Sequence, residues 1–150
     1  MYNFDHKLAD GILDIVMKST ATSSSGIKSS LLELGAGTGC YTHYLYQSKV
    51  FDRIVAYEGA ANVENFVLQA DLAQLQDYGG ASFDWVVSLE VAEHIPPEYK
   101  ATFVANILAP SPQGIILSWA IPNQVGTGHV NCRSKSNVDG LPEVTNQRNE

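Results

Sequence analysis

At 150 residues, with 45% hydrophobic and 17% charged side chains, the chain has the size and composition of one globular domain. That composition excludes the low-hydrophobicity, high-charge class of disordered proteins. A net charge of −7, with only nine Lys and Arg scattered along the chain, weighs against a nucleic-acid phosphate backbone as partner.

Residues 3–18 place Phe4, Leu8, Ile12, Ile15 and Val16 at helical spacing among Asp, His and Lys, which predicts an amphipathic helix. No apolar run follows the N-terminus, so it does not read as a secretory signal. No segment reaches the roughly 18 apolar residues of a membrane span. The expected compartment is cytoplasmic. Cys40 and Cys132 match no metal-ligand spacing and read as reduced thiols. Ser19 to Gly26 is small and polar and reads as a loop.

Five short apolar runs follow: 30–34, 54–57, 66–68, 85–89 and 115–119. Residues 40–48 and 97–108 between them are helical in pattern. Near-continuous apolar strands separated by helices predict an α/β fold, a three-layer sandwich with a mostly parallel sheet of about five strands and helices on both faces. Ligands of such sheets bind at the carboxyl ends of the strands. The unusual residues stand there: Glu33 and a glycine cluster at the first strand, Glu58 after the second, Asp71 after the third, Glu90 after the fourth.

Gly35-Ala36-Gly37-Thr38-Gly39 links the first strand to the next helix. Alternating glycines allow a sharp turn and close approach of a ligand, and the helix N-terminus beyond offers N–H groups. The spacing is E-x-G-x-G-x-G. The dinucleotide fingerprint G-x-G-x-x-G is not met, because residue 40 is Cys, and this disfavours a nicotinamide enzyme.

The stretch ELGAGTG resembles the first motif of class I S-adenosylmethionine-dependent methyltransferases, and the resemblance extends over roughly residues 28–122. It implies that Glu33, Gly35, Ala36, Gly37 and Gly39 form the turn around the methionine portion of S-adenosylmethionine. It implies further that Glu58 holds the ribose hydroxyls, since a carboxylate can accept from two donors. Asp71 and Leu72 fall at the adenine positions. Phe83-Asp84-Trp85-Val86-Val87-Ser88-Leu89-Glu90 resembles the fourth motif, placing Leu89 and Glu90 beside the methyl donor.

Glu90-Val91-Ala92-Glu93-His94 has two readings. His94 either packs under the Ile95-Pro96-Pro97 turn or serves as a general base, the commonest catalytic role of an imidazole. Alternatively E-x-x-E-H resembles small-molecule O-methyltransferases in which Glu90, Glu93 and His94 would hold a divalent metal. The expectation is no metal. Gly126 to Asn131 reads either as a surface loop or as part of an acceptor pocket with His129 and Asn131 as polar contacts. Trp85 and Trp119 read as core residues.

Two features depart from the family. Between Glu58 and Asp71 the crossover, through Ala60 to Glu64, is short for a parallel connection. Beyond Pro122 the chain lacks the pattern of the family's last helix and antiparallel hairpin, which suggests a truncated chain. The expected organisation is a cofactor-binding domain over 1–122, with its core at 28–122, and an irregular or disordered tail over 123–150. The fifth strand would then be an exposed edge, open to dimerisation. The implied activity is methyl transfer to a small-molecule acceptor, with neither nucleic acid nor membrane as partner. The alternative is a cofactor-binding module or pseudoenzyme without transfer activity.

Overall fold

The computed structural model describes residues 4–20, 28–61 and 64–134. Helix α1 (His6–Thr20) precedes strand β1 (Ser29–Leu34), helix α2 (Cys40–Gln47), strands β2 (Phe51–Glu58), β3 (Val67–Gln69) and β4 (Trp85–Ser88), helix α3 (Lys100–Leu108) and strand β5 (Gly114–Leu117). Two single-turn 3₁₀ helices, Ala92–His94 and Pro97–Tyr99, lead from β4 into α3. The five strands form one sheet in the order β3-β2-β1-β4-β5, and every pairing is parallel. This is the predicted α/β architecture, and among the described residues there is no antiparallel hairpin.

Strand alternation sorts the core into two faces. Leu31, Trp85, Val87 and Ile116 lie on one face with Ile12 and Val16 of α1 and Leu45 of α2. Leu32, Leu34, Val86, Ile115 and Leu117 lie on the other with Phe103 and Ile107 of α3. Both faces of the central strands are therefore covered, which is why they read as continuous apolar runs. The two tryptophans are buried as expected, Trp85 on the first face and Trp119 on the second.

Asp84 explains why the fourth run opens on a charged residue. Its Oδ2 accepts from both the amide and the hydroxyl of Ser30, each at 2.7 Å, and its own amide donates to Ser30 Oγ at 3.0 Å. The start of β4 is thereby clamped to the start of β1.

The tight β2–β3 crossover carries no helix among its described residues. It needs none. Val67, Leu68 and Gln69 pair with Ala56, Tyr57 and Glu58, the last three residues of β2. The chain must return by only about 10 Å, the rise of three strand residues. Residues 62 and 63 of that crossover lie outside the described residues, as do 135–150 of the tail.

The described part of the tail, 123–134, has neither helix nor strand, yet it is anchored. The amides of Val130 and Asn131 both donate to the carbonyl of Glu93, at 2.9 and 3.0 Å, and the amide of Arg133 donates to the carbonyl of Ala120 at 2.8 Å. Trp119 Nε1–H donates to the carbonyl of Asn131 at 2.5 Å. Among the described residues β5 pairs only with β4. No helix there is long and apolar enough to cross a membrane.

Candidate functional site

A cavity of about 710 Å³ opens at the carboxyl ends of β1, β2 and β4. That volume lies within the roughly 300–1,000 Å³ usual for small-molecule clefts. It straddles the point where the strand order reverses between β1 and β4, where open parallel sheets bind ligands. Gly35, Ala36 and Gly37 form one wall, Glu58, Asp71 and Leu72 a second, and Leu89, Glu90 and His94 a third. Nine of the residues singled out in the sequence thus converge on one space.

The glycine wall is shaped by backbone requirements. Gly35 has φ +81°, and a Cβ built on it would stand 2.1 Å from Val91 Cγ2. Only glycine accommodates both the left-handed conformation and that approach. Its amide and that of Ala36 donate to the carbonyl of Tyr57 at 2.8 and 3.0 Å, tying the turn to the end of β2. Glu58 completes the tie: its Oε2 accepts from the Gly37 amide at 2.7 Å and its Oε1 from the Ala60 amide at 2.9 Å.

Asp71 lines the cavity while one of its oxygens, Oδ1, accepts from the Ala73 amide at 2.9 Å and stabilises the turn after β3. Glu90 is held in a left-handed conformation, φ 57°. Its amide donates to Ser118 Oγ at 2.6 Å, and the same hydroxyl donates to Glu90 Oε1 at 2.8 Å. Strained non-glycine residues of this kind persist where the surroundings over-determine them, and they cluster at functional sites.

His94 Nδ1 lies 3.0 Å from the carbonyl of Gly128. A carbonyl only accepts, so Nδ1 carries the proton, and a neutral ring keeps its lone pair on Nε2. The ring packs edge-on against His129, with centroids 5.1 Å apart.

Among the residues singled out for cofactor or metal, three do not line the cavity. Glu33 is buried on the α2 side of β1, where Oε2 accepts from the Thr42 hydroxyl at 2.6 Å. Burial pushes its carboxyl up to about 7, partly opposed by the Thr42 hydrogen bond and reinforced by the charge of Glu58. Gly39 sits one step behind the turn, as the left-handed N-cap of α2, where a Cβ would stand 2.7 Å from the Phe66 ring. Glu93 is completely buried beneath the cavity wall, and burial raises its carboxyl above the usual range.

Glu90, Glu93 and His94, the set suggested by E-x-x-E-H, are not grouped as ligands. The three-residue cluster among the described residues is Glu93, His94 and His129. Of the predicted polar contacts after β5, His129 and Asn131 pack against the wall behind the cavity and do not line it.

The α1 side of the cavity is built from residues with no motif to mark them. Phe4, Asp5 and Leu8 line it together with Tyr41 of α2. The Asp5 amide donates to the Tyr41 hydroxyl at 3.2 Å, and the Phe4 and Tyr41 rings lie 4.8 Å apart. The only signal was Phe4 and Leu8 at the head of the apolar stripe, and a stripe does not say which of its members overhang a cleft.

The family described as "Methyltransferase domain" matches residues 32–111, more than half of the chain. No curated protein matches. Among solved structures, the methyltransferase domain of bacterial CtHen1-CN superposes with a TM-score of 0.63 at 16% identity, over 79% of this chain and 68% of its own. The small RNA methyltransferase HEN1 gives 0.62 at 16% identity, over 91% of this chain and 21% of its own. A putative methyltransferase from Bacillus halodurans C-125 gives 0.59 at 16% identity, over 84% of this chain and 64% of its own. The chain thus spans about two thirds of two of these structures and a fifth of the other, and at such identities the likeness is one of fold. With the motif order, the strand order and the family match in agreement, the chain belongs to the class I S-adenosylmethionine-dependent methyltransferase domain family.

Proposed function

We propose that this chain binds S-adenosylmethionine across the glycine turn and Glu58, and transfers its methyl group to a small, neutral or cationic acceptor. The observation that carries this reading is the Glu58 carboxylate, which borders the cavity while bonded to the glycine turn. The residues present suit the cofactor. Gly35, Ala36 and Gly37 line the cavity with no side chain larger than a methyl, so a ligand can approach their backbone closely, and the Glu58 carboxylate is an acceptor-only group suited to a diol. Glu58 would take the ribose hydroxyls, Asp71 and Leu72 the adenine, and Gly35 to Gly37 the methionine portion.

When bound, the cofactor supplies an electrophilic methyl group on a sulfonium. The protein's share is orientation and charge. Four acids, Asp5, Glu58, Asp71 and Glu90, line the cavity, and among the described residues no Lys or Arg does. That lining favours a sulfonium cation and disfavours a polyanionic acceptor, as does the net charge of −7. His94, at the cavity wall with Nδ1–H spent on Gly128, is placed to take a proton at Nε2 from an acceptor hydroxyl or amine.

The test is calorimetry with S-adenosylhomocysteine followed by transfer of labelled methyl to a metabolite extract. Binding weakened by Glu58→Ala, with label passing to a small molecule, is the expected result. Binding without transfer would mark a cofactor-binding module. A folded chain with no affinity for the nucleoside would overturn the proposal.

A further inference from the structure

Behind the cavity wall Glu93 and His129, which the methyl-transfer reading does not use, gather beside His94. Glu93 is 0% exposed, and among the described residues neither of its carboxylate oxygens has a hydrogen-bond partner. A buried carboxylate left this way is costly, and native structures pair such groups or give them a cation. Two imidazoles face it. His129 Nε2 stands 3.9 Å from Glu93 Oε1, and one ligand atom from each of Glu93, His94 and His129 lies within 4.8 Å of the others.

The two rings are held in the same way. His94 Nδ1 lies 3.0 Å from the carbonyl of Gly128, and His129 Nδ1 lies 3.2 Å from the carbonyl of Gln124. Each carbonyl fixes the proton on Nδ1 and leaves Nε2 as the lone-pair nitrogen, the arrangement that backbone carbonyls impose on metal-bound histidines. The loop that brings His129 is itself fixed on Glu93, whose carbonyl accepts from the amides of Val130 and Asn131.

We propose that Glu93, His94 and His129 form a binding site for a divalent transition-metal ion. Two imidazoles and one carboxylate favour an ion that accepts nitrogen ligands, Zn²⁺ strongly and Mn²⁺ more weakly, over Mg²⁺, which prefers an all-oxygen shell. His94 also lines the cavity, so the ion would border it, and with the ion bound His94 Nε2 would be a ligand and no longer free to take a proton. The site rests on these three side chains and stands whether or not the chain transfers methyl groups.

The test uses the full chain, stripped with chelator and titrated with Mn²⁺ and with Mg²⁺, with S-adenosylhomocysteine binding measured in parallel. One equivalent of Mn²⁺ is expected to bind at least tenfold more tightly than Mg²⁺. Spin-echo spectroscopy of the Mn²⁺ form is expected to show coupling to imidazole nitrogen. His129→Ala and Glu93→Gln should each weaken Mn²⁺ binding at least tenfold. His129→Ala lies on a loop outside the cavity lining and should leave nucleoside binding within twofold. A folded chain that takes up no Mn²⁺ or Zn²⁺ would overturn the proposal. So would Mn²⁺ binding that survives His129→Ala, or that carries no nitrogen coupling.

Discussion

The Glu58 carboxylate and the Gly37 amide lie 2.7 Å apart, so the acid ending β2 and the turn leaving β1 form one hydrogen-bonded unit. Glu58→Ala removes this brace on the turn and, on the proposed reading, an acceptor for the ribose hydroxyls. Hydrogen bonds to a charged group contribute about 1.5–3 kcal/mol. Affinity for S-adenosylhomocysteine should therefore fall by roughly 10- to 100-fold. Glu58→Gln keeps an oxygen for Gly37 but loses the charge, and should fall between Ala and wild type. Calorimetric Kd values for the three proteins check this ordering.

Gly35→Ala should damage the turn twice over. The added methyl meets Val91 at 2.1 Å, and φ +81° is strained for any residue with a Cβ. A loss of about 1–3 kcal/mol of stability is expected from either cause. Gly35→Ala combined with Val91→Ala relieves the collision and leaves the strain, so it should recover part of the stability. Urea denaturation of the two variants separates the contributions; an unchanged midpoint in the single variant would contradict them.

Glu33 gives the chain a pH dependence opposite in sign to that of an ordinary paired acid. Burial pushes its carboxyl up to about 7 in the fold, against an ordinary value of 4.5. Between those values the folded state binds more protons than the unfolded one, so stability falls as pH rises. The contribution is fully present below about pH 4.5 and lost above about pH 7, a change of about 3 kcal/mol. Glu33→Gln, whose amide oxygen can still accept from Thr42, should flatten this slope. Unfolding free energies at pH 5 and pH 8 measure it, and parallel profiles for the two proteins would refute the assignment.

Trp119→Phe should loosen the segment after β5 without emptying the core. The ring fills much of the same space, but Nε1–H no longer reaches the carbonyl of Asn131. A cost of about 1 kcal/mol is expected. The readout is faster amide exchange at Val130 and Asn131, with β1 and β4 protected as before.

The sheet was legible because its central strands are buried on both faces. Leu31 to Leu34 and Trp85 to Val87 are apolar, or locally satisfied, at every position, and periodicity needs nothing more. The cavity was legible at the strand ends, where Gly35, Glu58, Asp71 and Glu90 interrupt apolar runs. Glu33 misled because an acid next to a glycine turn looks the same whether it faces the ligand or Thr42. Alternation decides it: Glu33 shares the α2 face with Leu31, the side away from α3. His129 was singled out, but its pairing with Glu93 was not, because 36 residues separate them and only the folding back of the segment after β5 brings them together.

The three-residue strand β3 closes the sheet on the Glu58 side, with Phe66 and Leu68 half in solvent beside it. With three register pairs and little burial, it is the margin that opens at least cost. Asp71 and Leu72 hang from that margin. If Asp71 and Leu72 hold the adenine as proposed, fraying there would uncover the purine end of a bound nucleoside while the glycine turn stays intact, so departure should begin at the base and finish at the amino acid.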